Sequence, residues 1–251
     1  MAALEKTEAA RERRLAGSIE WGDYARSYDV MAKYNLEYLA NMEMAERVIT
    51  QQFPGKTVTI CDIAAGTGNY INFLLSRGLL HSATHIDASL AMNAIALEKY
   101  SAFDSVAVDV RTEPAEALSF LEETYDVYLC CNALYAIAER DSVVRAITRS
   151  MGAHSVVLAI DFGREMKTAD WTLPLLNAAF SKSGFRGVAE LLASSREIAR
   201  HNRHGGDVQK SGGYWLHDLS EFTDLFVSNG LDLIEAGVCY RGYCDYVVAR
   251  R

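Results

Sequence analysis

From residue 58 onward the chain alternates short β-rich apolar runs with longer stretches whose apolar positions recur every three to four residues. These are the periods of buried strands and of one-sided helices. The first run, Val58-Thr59-Ile60-Cys61-Asp62-Ile63, meets an acid near its end. It passes through Ala64-Ala65-Gly66-Thr67-Gly68 into a helical pattern carrying Ile71, Phe73, Leu74 and Leu75, which ends at Arg77-Gly78. Further strands are predicted over 83–87, 105–110, 125–131 and 155–163. Helices over 90–100 and 141–151 separate them, and another opens at Glu113-Pro114, where a missing N–H is tolerated. Strand and helix alternating in this way imply right-handed crossovers and a parallel sheet covered on both faces.

The flanks depart from this rhythm. Residues 1–18 are polar and charged and read as a tail. Residues 19–53 read as an aromatic helical cover, with Tyr24, Tyr28, Tyr34 and Tyr38 within one short stretch, broken by Pro54-Gly55 before the first strand. Residues 164–214 interrupt the alternation with two or three helices and a basic, His-rich end, Arg200-His201-Asn202-Arg203-His204, beside Gly205-Gly206. A helix then starts behind Asp218, which with Glu221 has capping-box spacing. Two strands, 231–239 and 243–249, close the chain around Arg241-Gly242. The expected organisation is one domain over 19–251, with an insert over 164–214.

Composition narrows the classes. With 251 residues, half of them hydrophobic, the chain can bury a full core. A net charge of −8 argues against a nucleic-acid substrate, whose phosphates call for clustered Lys and Arg. No apolar run is long enough to span a bilayer, and the charged start lacks the apolar centre of a signal peptide. The cysteines Cys61, Cys130, Cys131, Cys239 and Cys244 are odd in number and form no CxxC pair. They read as reduced thiols of a cytoplasmic protein. His201 and His204 have no carboxylate or Cys at convincing metal-ligand spacing, so no metal is expected.

The turn after the first strand is the chemical centre. Glycines admit a ligand where a Cβ would clash, and the helix start offers free N–H groups. Asp87 follows Gly68 by 19 residues, near the spacing of a carboxylate that accepts from two ribose hydroxyls. Ser89 is placed to cap the following helix.

With Asp62-x-Ala64-x-Gly66-x-Gly68, the chain resembles the class I S-adenosylmethionine-dependent methyltransferases, Ala64 standing where that family has its first glycine. The order of Asp87 at the second strand, Asn132 after the fourth and the closing helix with two strands extends the resemblance over about 19–162 and 214–250. It implies a Rossmann-like α/β fold: seven mostly parallel strands with an antiparallel last strand, helices on both faces, and a helical insert after strand five. It implies S-adenosyl-L-methionine as methyl donor, held by Asp62, Ala64, Gly66, Gly68, Asp87, Ala88, Met92 and Asn132, with Asp109 on the adenine amino group. Tyr24, Tyr28, Asn132, Tyr135 and His201 are the candidates around the reacting methyl.

The expected function is methylation of a small molecule, by a monomer or homodimer without nucleic-acid or membrane partners. The insert is expected to act as a lid whose basic end holds an anionic substrate group. Other readings stay open. Asn132 also suits a turn cap, and Tyr135 a core position. The same fold could transfer or cyclise the donor's aminocarboxypropyl arm and release methylthioadenosine. It could also bind the nucleotide without catalysis.

Overall fold

The computed structural model describes residues 21–120 and 123–251, so the expected tail over 1–18 lies outside the described residues. Two helices, α1 (Trp21–Tyr34) and α2 (Leu36–Gln52), precede the sheet. Asn35 separates them: its side chain accepts from the N–H groups of Glu37 and Tyr38 and caps α2. Then come β1 (Val58–Ile63), α3 (Asn69–Ser76), β2 (Leu80–Ile86), α4 (Leu90–Tyr100), β3 (Ala107–Arg111), β4 (Val127–Cys131), α5 (Arg140–Ser150) and β5 (Val156–Phe162). The helix expected at Pro114 is a short 3₁₀ segment, Ala115–Phe120.

The sheet order is β3-β2-β1-β4-β5-β7-β6, with β6 (Asp232–Cys239) and β7 (Cys244–Arg250) closing the chain. Strands β1 to β5 pair in parallel, and β7 runs antiparallel to both β5 and β6. This is the expected seven-stranded sheet with a reversed last strand. The alternation of β1 shows why the sheet is covered twice. Ile60 packs with α2 and α3 residues such as Ile49 and Leu74 on one face. Cys61 and Ile63 pack with Val144 and Ile147 of α5 and Phe222 of α7 (Leu219–Val227) on the other. The expected capping box begins α7: Glu221 N–H donates to Asp218 Oδ1 at 2.9 Å, and Asp218 N–H to Glu221 Oε2 at 3.0 Å.

The insert is a helical run, α6 (Ala169–Lys210), broken at Gly184, whose φ of 58° and ψ of −147° only glycine adopts without strain. Two helices, 169–183 and 185–210, therefore meet there, and Ala179 and Leu191 from the two arms pack against Tyr34 of α1. Lys33 pairs with Glu190 at 2.7 Å, Tyr34 donates to the same carboxylate at 2.6 Å, and Ser27 donates to Glu197. The N-terminal cover and the insert are thereby joined to each other.

Candidate active site

In a parallel sheet the strands deliver their following loops to one edge, where open α/β folds bind ligands. The loops after β1, β2, β3, β4, β5 and β6 line a cavity of about 600 Å³ here, with residues of α1 and α6 over it. That volume lies within the usual range of small-molecule sites.

At one end stands the glycine turn. Ala64 and Gly66 take positive φ (55° and 58°) and line the cavity, and a Cβ at Gly66 would meet open space. Gly68, at φ 74°, does not line it. A Cβ there would lie 2.1 Å from Tyr100 Oη, so the glycine is needed for helix–helix packing rather than for ligand contact. Asp87 lines the cavity and ties the loops together. Its Oδ2 accepts from Gly66 N–H and its Oδ1 from Ser89 N–H, both at 2.8 Å. Beneath it, buried His85 bonds Tyr100 Oη and Asn93 Oδ1, each at 2.9 Å, and Asn93 donates to the Asp87 carbonyl. Burial lowers the His85 pKa, which fits a neutral ring donating to Asn93 and accepting from Tyr100.

Asp62 is buried, and its Oδ2 has no partner among the described residues. Burial first, and the nearby Asp87 charge second, push its carboxyl well above the usual range. Ala88 and buried Met92 complete this end. Asp29 of α1 fastens the cover to the turn: it accepts from Thr67 Oγ1 at 2.6 Å and pairs with Lys99, which also donates to the Thr67 carbonyl and to Asn69.

Asn132 follows β4 at φ 56°, with its N–H donating to the Ile160 carbonyl at 2.6 Å. Its side chain meets the Tyr28 phenol, while its Oδ1 is buried without a partner among the described residues. The Tyr28 hydroxyl donates to Tyr38 Oη at 3.3 Å, and burial pushes its pKa up to about 12. Beneath the loop that carries Asn132, Asp161 is fully buried at the end of β5 and faces the N–H groups of Ala133 and Tyr135, with neither carboxylate oxygen at hydrogen-bonding geometry among the described residues.

The opposite end is aromatic. Tyr135 meets Tyr214 edge-on at 4.8 Å and Phe162 at 5.6 Å between ring centroids. Phe162 meets Tyr240 at 5.5 Å, and Tyr240 meets Trp171 at 4.7 Å. Tyr240 reaches this wall from the β6–β7 turn, in a left-handed conformation (φ 52°) that costs a tyrosine energy.

Asp62, Ala64, Gly66, Asp87, Ala88, Met92, Tyr28, Asn132 and Tyr135 are thus brought to one cavity. Two expectations need correction. Gly68 packs on Tyr100, as above. Asp109 lies on the edge strand with its side chain 57% exposed and bound to Arg111 at 2.6 Å, away from the cavity. On the edge strand β3, Val108 and Val110 pack on the core, and Asp109 between them falls on the opposite, exposed face. The side chains of Tyr24 and His201 lie outside the described residues. The sequence reading missed Asp29, Tyr38, Tyr70, Glu116, Trp171, Tyr214 and Tyr240. Only the density of aromatic residues in the flanks signalled any of them.

Residues 60–168 match the family profile described as "Methyltransferase domain". No protein of curated function matches the chain by sequence. Among solved structures it is similar to a chain of the Haloferax volcanii complex between the Trm112 methyltransferase activator and a methyltransferase. The identity is 12%, covering 92% of this chain and 93% of that one, with a TM-score of 0.61. It is also similar to the N-methyltransferase NodS of Bradyrhizobium japonicum with S-adenosylhomocysteine (11%, 88% and 90%, 0.59). A third similar structure is magnesium protoporphyrin IX methyltransferase of Synechocystis, also with bound S-adenosylhomocysteine (14%, 91% and 97%, 0.59). The residues present suit the donor these imply. The open cradle at Gly66 admits its backbone-hugging portion, and the unpartnered Asp62 oxygen suits a cationic or hydroxylated group. The methyltransferase-domain profile across 60–168 and the seven-stranded sheet with its reversed strand give the chain a methyltransferase domain with the fold of the class I S-adenosylmethionine-dependent methyltransferases.

Proposed function

We propose that the chain methylates a small molecule enclosed in this cavity. The observation that carries the reading is the sharing of one cavity of about 600 Å³ by the glycine turn with Asp87 and by the aromatic wall, under α1 and α6. A polymer would need an open groove, and the arms of α6 cross the space instead. In this reading α1 and α2 are the cover and α6 the lid of a single domain.

S-adenosylmethionine, when bound, supplies an electrophilic methyl on a sulfonium centre. Asp62, Ala64, Gly66, Asp87, Ala88 and Met92 hold it. Asn132 Oδ1 accepts a hydrogen bond from the O–H or N–H of the attacking group and aims its lone pair. Tyr28 keeps its proton at neutral pH, because burial pushes its pKa up to about 12, and so it orients rather than deprotonates. The remaining contribution is position and exclusion of water.

The test uses S-adenosylmethionine labelled on its methyl group, incubated with the protein and with separated small-molecule, RNA and protein fractions of a cell extract. The expected result is label in the small-molecule fraction and adenosylhomocysteine as the nucleoside product. Label in a polymer fraction would overturn the reading, and methylthioadenosine would move it to transfer of the aminocarboxypropyl arm.

A further inference from the structure

The substrate end of the cavity has a definite chemical character. Its wall is a run of five rings, from Tyr214 through Tyr135, Phe162 and Tyr240 to Trp171, each within 5.6 Å of the next between centroids. Its roof is aliphatic, formed by Leu175, Leu176, Leu191, Leu192 and Ile198 of α6. Flat π surfaces pack edge-on or offset against such rings, and the gain exceeds that of area burial alone.

The charge at this end is already spent. Among the described residues, Arg164 is the one cation lining the cavity. It is held by Asp245 at 2.6 and 2.8 Å, and by the Gly242 carbonyl at 2.7 Å. The acids Glu116 and Glu165 line the cavity too. An anionic substrate would face these acids, with Arg164 already engaged; the side chains of His201 and His204, at the basic end of the insert, lie outside the described residues.

Four cavity-lining residues have a buried polar atom that lacks a partner among the described residues, and two of them, besides Asp62 and Tyr70, bear on the acceptor. One is Asn132 Oδ1, an acceptor; the other is Trp171 Nε1–H, a donor on a ring only 6% exposed. Buried polar groups are almost always satisfied, so an unmatched pair of this kind describes the ligand that completes it.

Resting on the methyltransferase reading above, we infer that the methyl acceptor is an uncharged, flat aromatic molecule. It carries an O–H or N–H for Asn132 and, at its far end, a carbonyl or ether oxygen for Trp171. Trp171 is then a specificity-determining residue.

The test is equilibrium binding of three probes, read by fluorescence with and without S-adenosylhomocysteine, at a mildly acidic pH that keeps phenols protonated. Umbelliferone has a hydroxyl at one end and a lactone carbonyl at the other. Its carboxylated derivative adds a negative charge, and naphthol lacks the carbonyl. Umbelliferone is expected to bind at least tenfold more tightly than the carboxylate. Trp171→Phe, which keeps a ring but removes the donor, should weaken umbelliferone about five- to tenfold and naphthol by less than twofold.

Equal or tighter binding of the carboxylate would overturn the inference. So would an equal loss for both neutral probes in Trp171→Phe, or no probe binding to protein that takes up S-adenosylhomocysteine. Failure to take up S-adenosylhomocysteine, by contrast, would count against the donor site, while the probe titrations of the unliganded protein would still decide the point made here.

Discussion

The two ends of the cavity are built in opposite ways. The donor end comes largely from one continuous stretch: strand, glycine turn, helix and second strand, running from Asp62 to Met92. Its interactions are backbone to carboxylate, as in the bonds from Gly66 and Ser89 to Asp87. The substrate end takes single side chains from far apart: Tyr135, Phe162, Trp171, Tyr214 and Tyr240, on five separate segments. A backbone-built site depends on turn geometry that few residue types satisfy. A side-chain-built site depends on volume and ring contact, which many sequences can supply. The donor end is therefore constrained by shape, and the substrate end is free to vary.

The largest expected effect tests the independence of the two ends. Trp171→Ala removes a buried ring that packs on Tyr240 and should cost about 3–5 kcal/mol of stability. Affinity for S-adenosylmethionine in calorimetry should change by less than threefold; a large loss of donor affinity in folded protein would show the ends to be coupled. Next is Asp87→Ala, expected to weaken donor binding about 100-fold, near 2.7 kcal/mol, because the carboxylate is proposed to meet the donor and it ties Gly66 to Ser89. Near-normal affinity would remove Asp87 from the donor site.

A smaller effect concerns protons. The Asp62 carboxyl is raised by burial, so it holds a proton to higher pH than an ordinary carboxylate. A cationic donor beside it favours the carboxylate, so binding releases a proton and tightens as pH rises through that raised pKa. Calorimetry in buffers of different ionisation enthalpy should show this release, and Asp62→Asn should abolish it. Smallest is Ala64→Gly. It relieves a left-handed alanine but adds freedom to the unfolded chain, so stability measured by urea unfolding should rise by no more than about 1 kcal/mol.

The same contrast explains what the sequence made legible. The periods of the strands, the capping box at Asp218 and the Asp62-to-Asp87 stretch are local patterns, each visible within one short continuous stretch. The reversed β7 was legible because a tight turn joins two apolar runs. Trp171, Tyr214 and Tyr240 were not, since nothing in their neighbours distinguishes a ring facing a cavity from one filling a core. Asp109 misled for a related reason. Its spacing along β3 suited a ligand, but β3 lies at the sheet's edge, and sheet order is a long-range property. The insert reads as two or three helices and forms two, 169–183 and 185–210, but their meeting point at Gly184 was not legible, because a glycine in a helical pattern does not announce its φ.

The reversed strand has a consequence for how such a protein can change. In a wholly parallel sheet, each loop at the ligand-bearing edge is followed by a crossover, so lengthening it risks displacing a helix. Here β6 runs up to that edge and β7 returns beside it, leaving a hairpin tip, Tyr240–Gly242, that carries a cavity ring and leads straight into the antiparallel β7. Such a tip can be exchanged, shortened or extended with no crossover to rebuild. It gives evolution, or an engineer, a handle for retuning substrate choice while the methyl-donor machinery stays as it is.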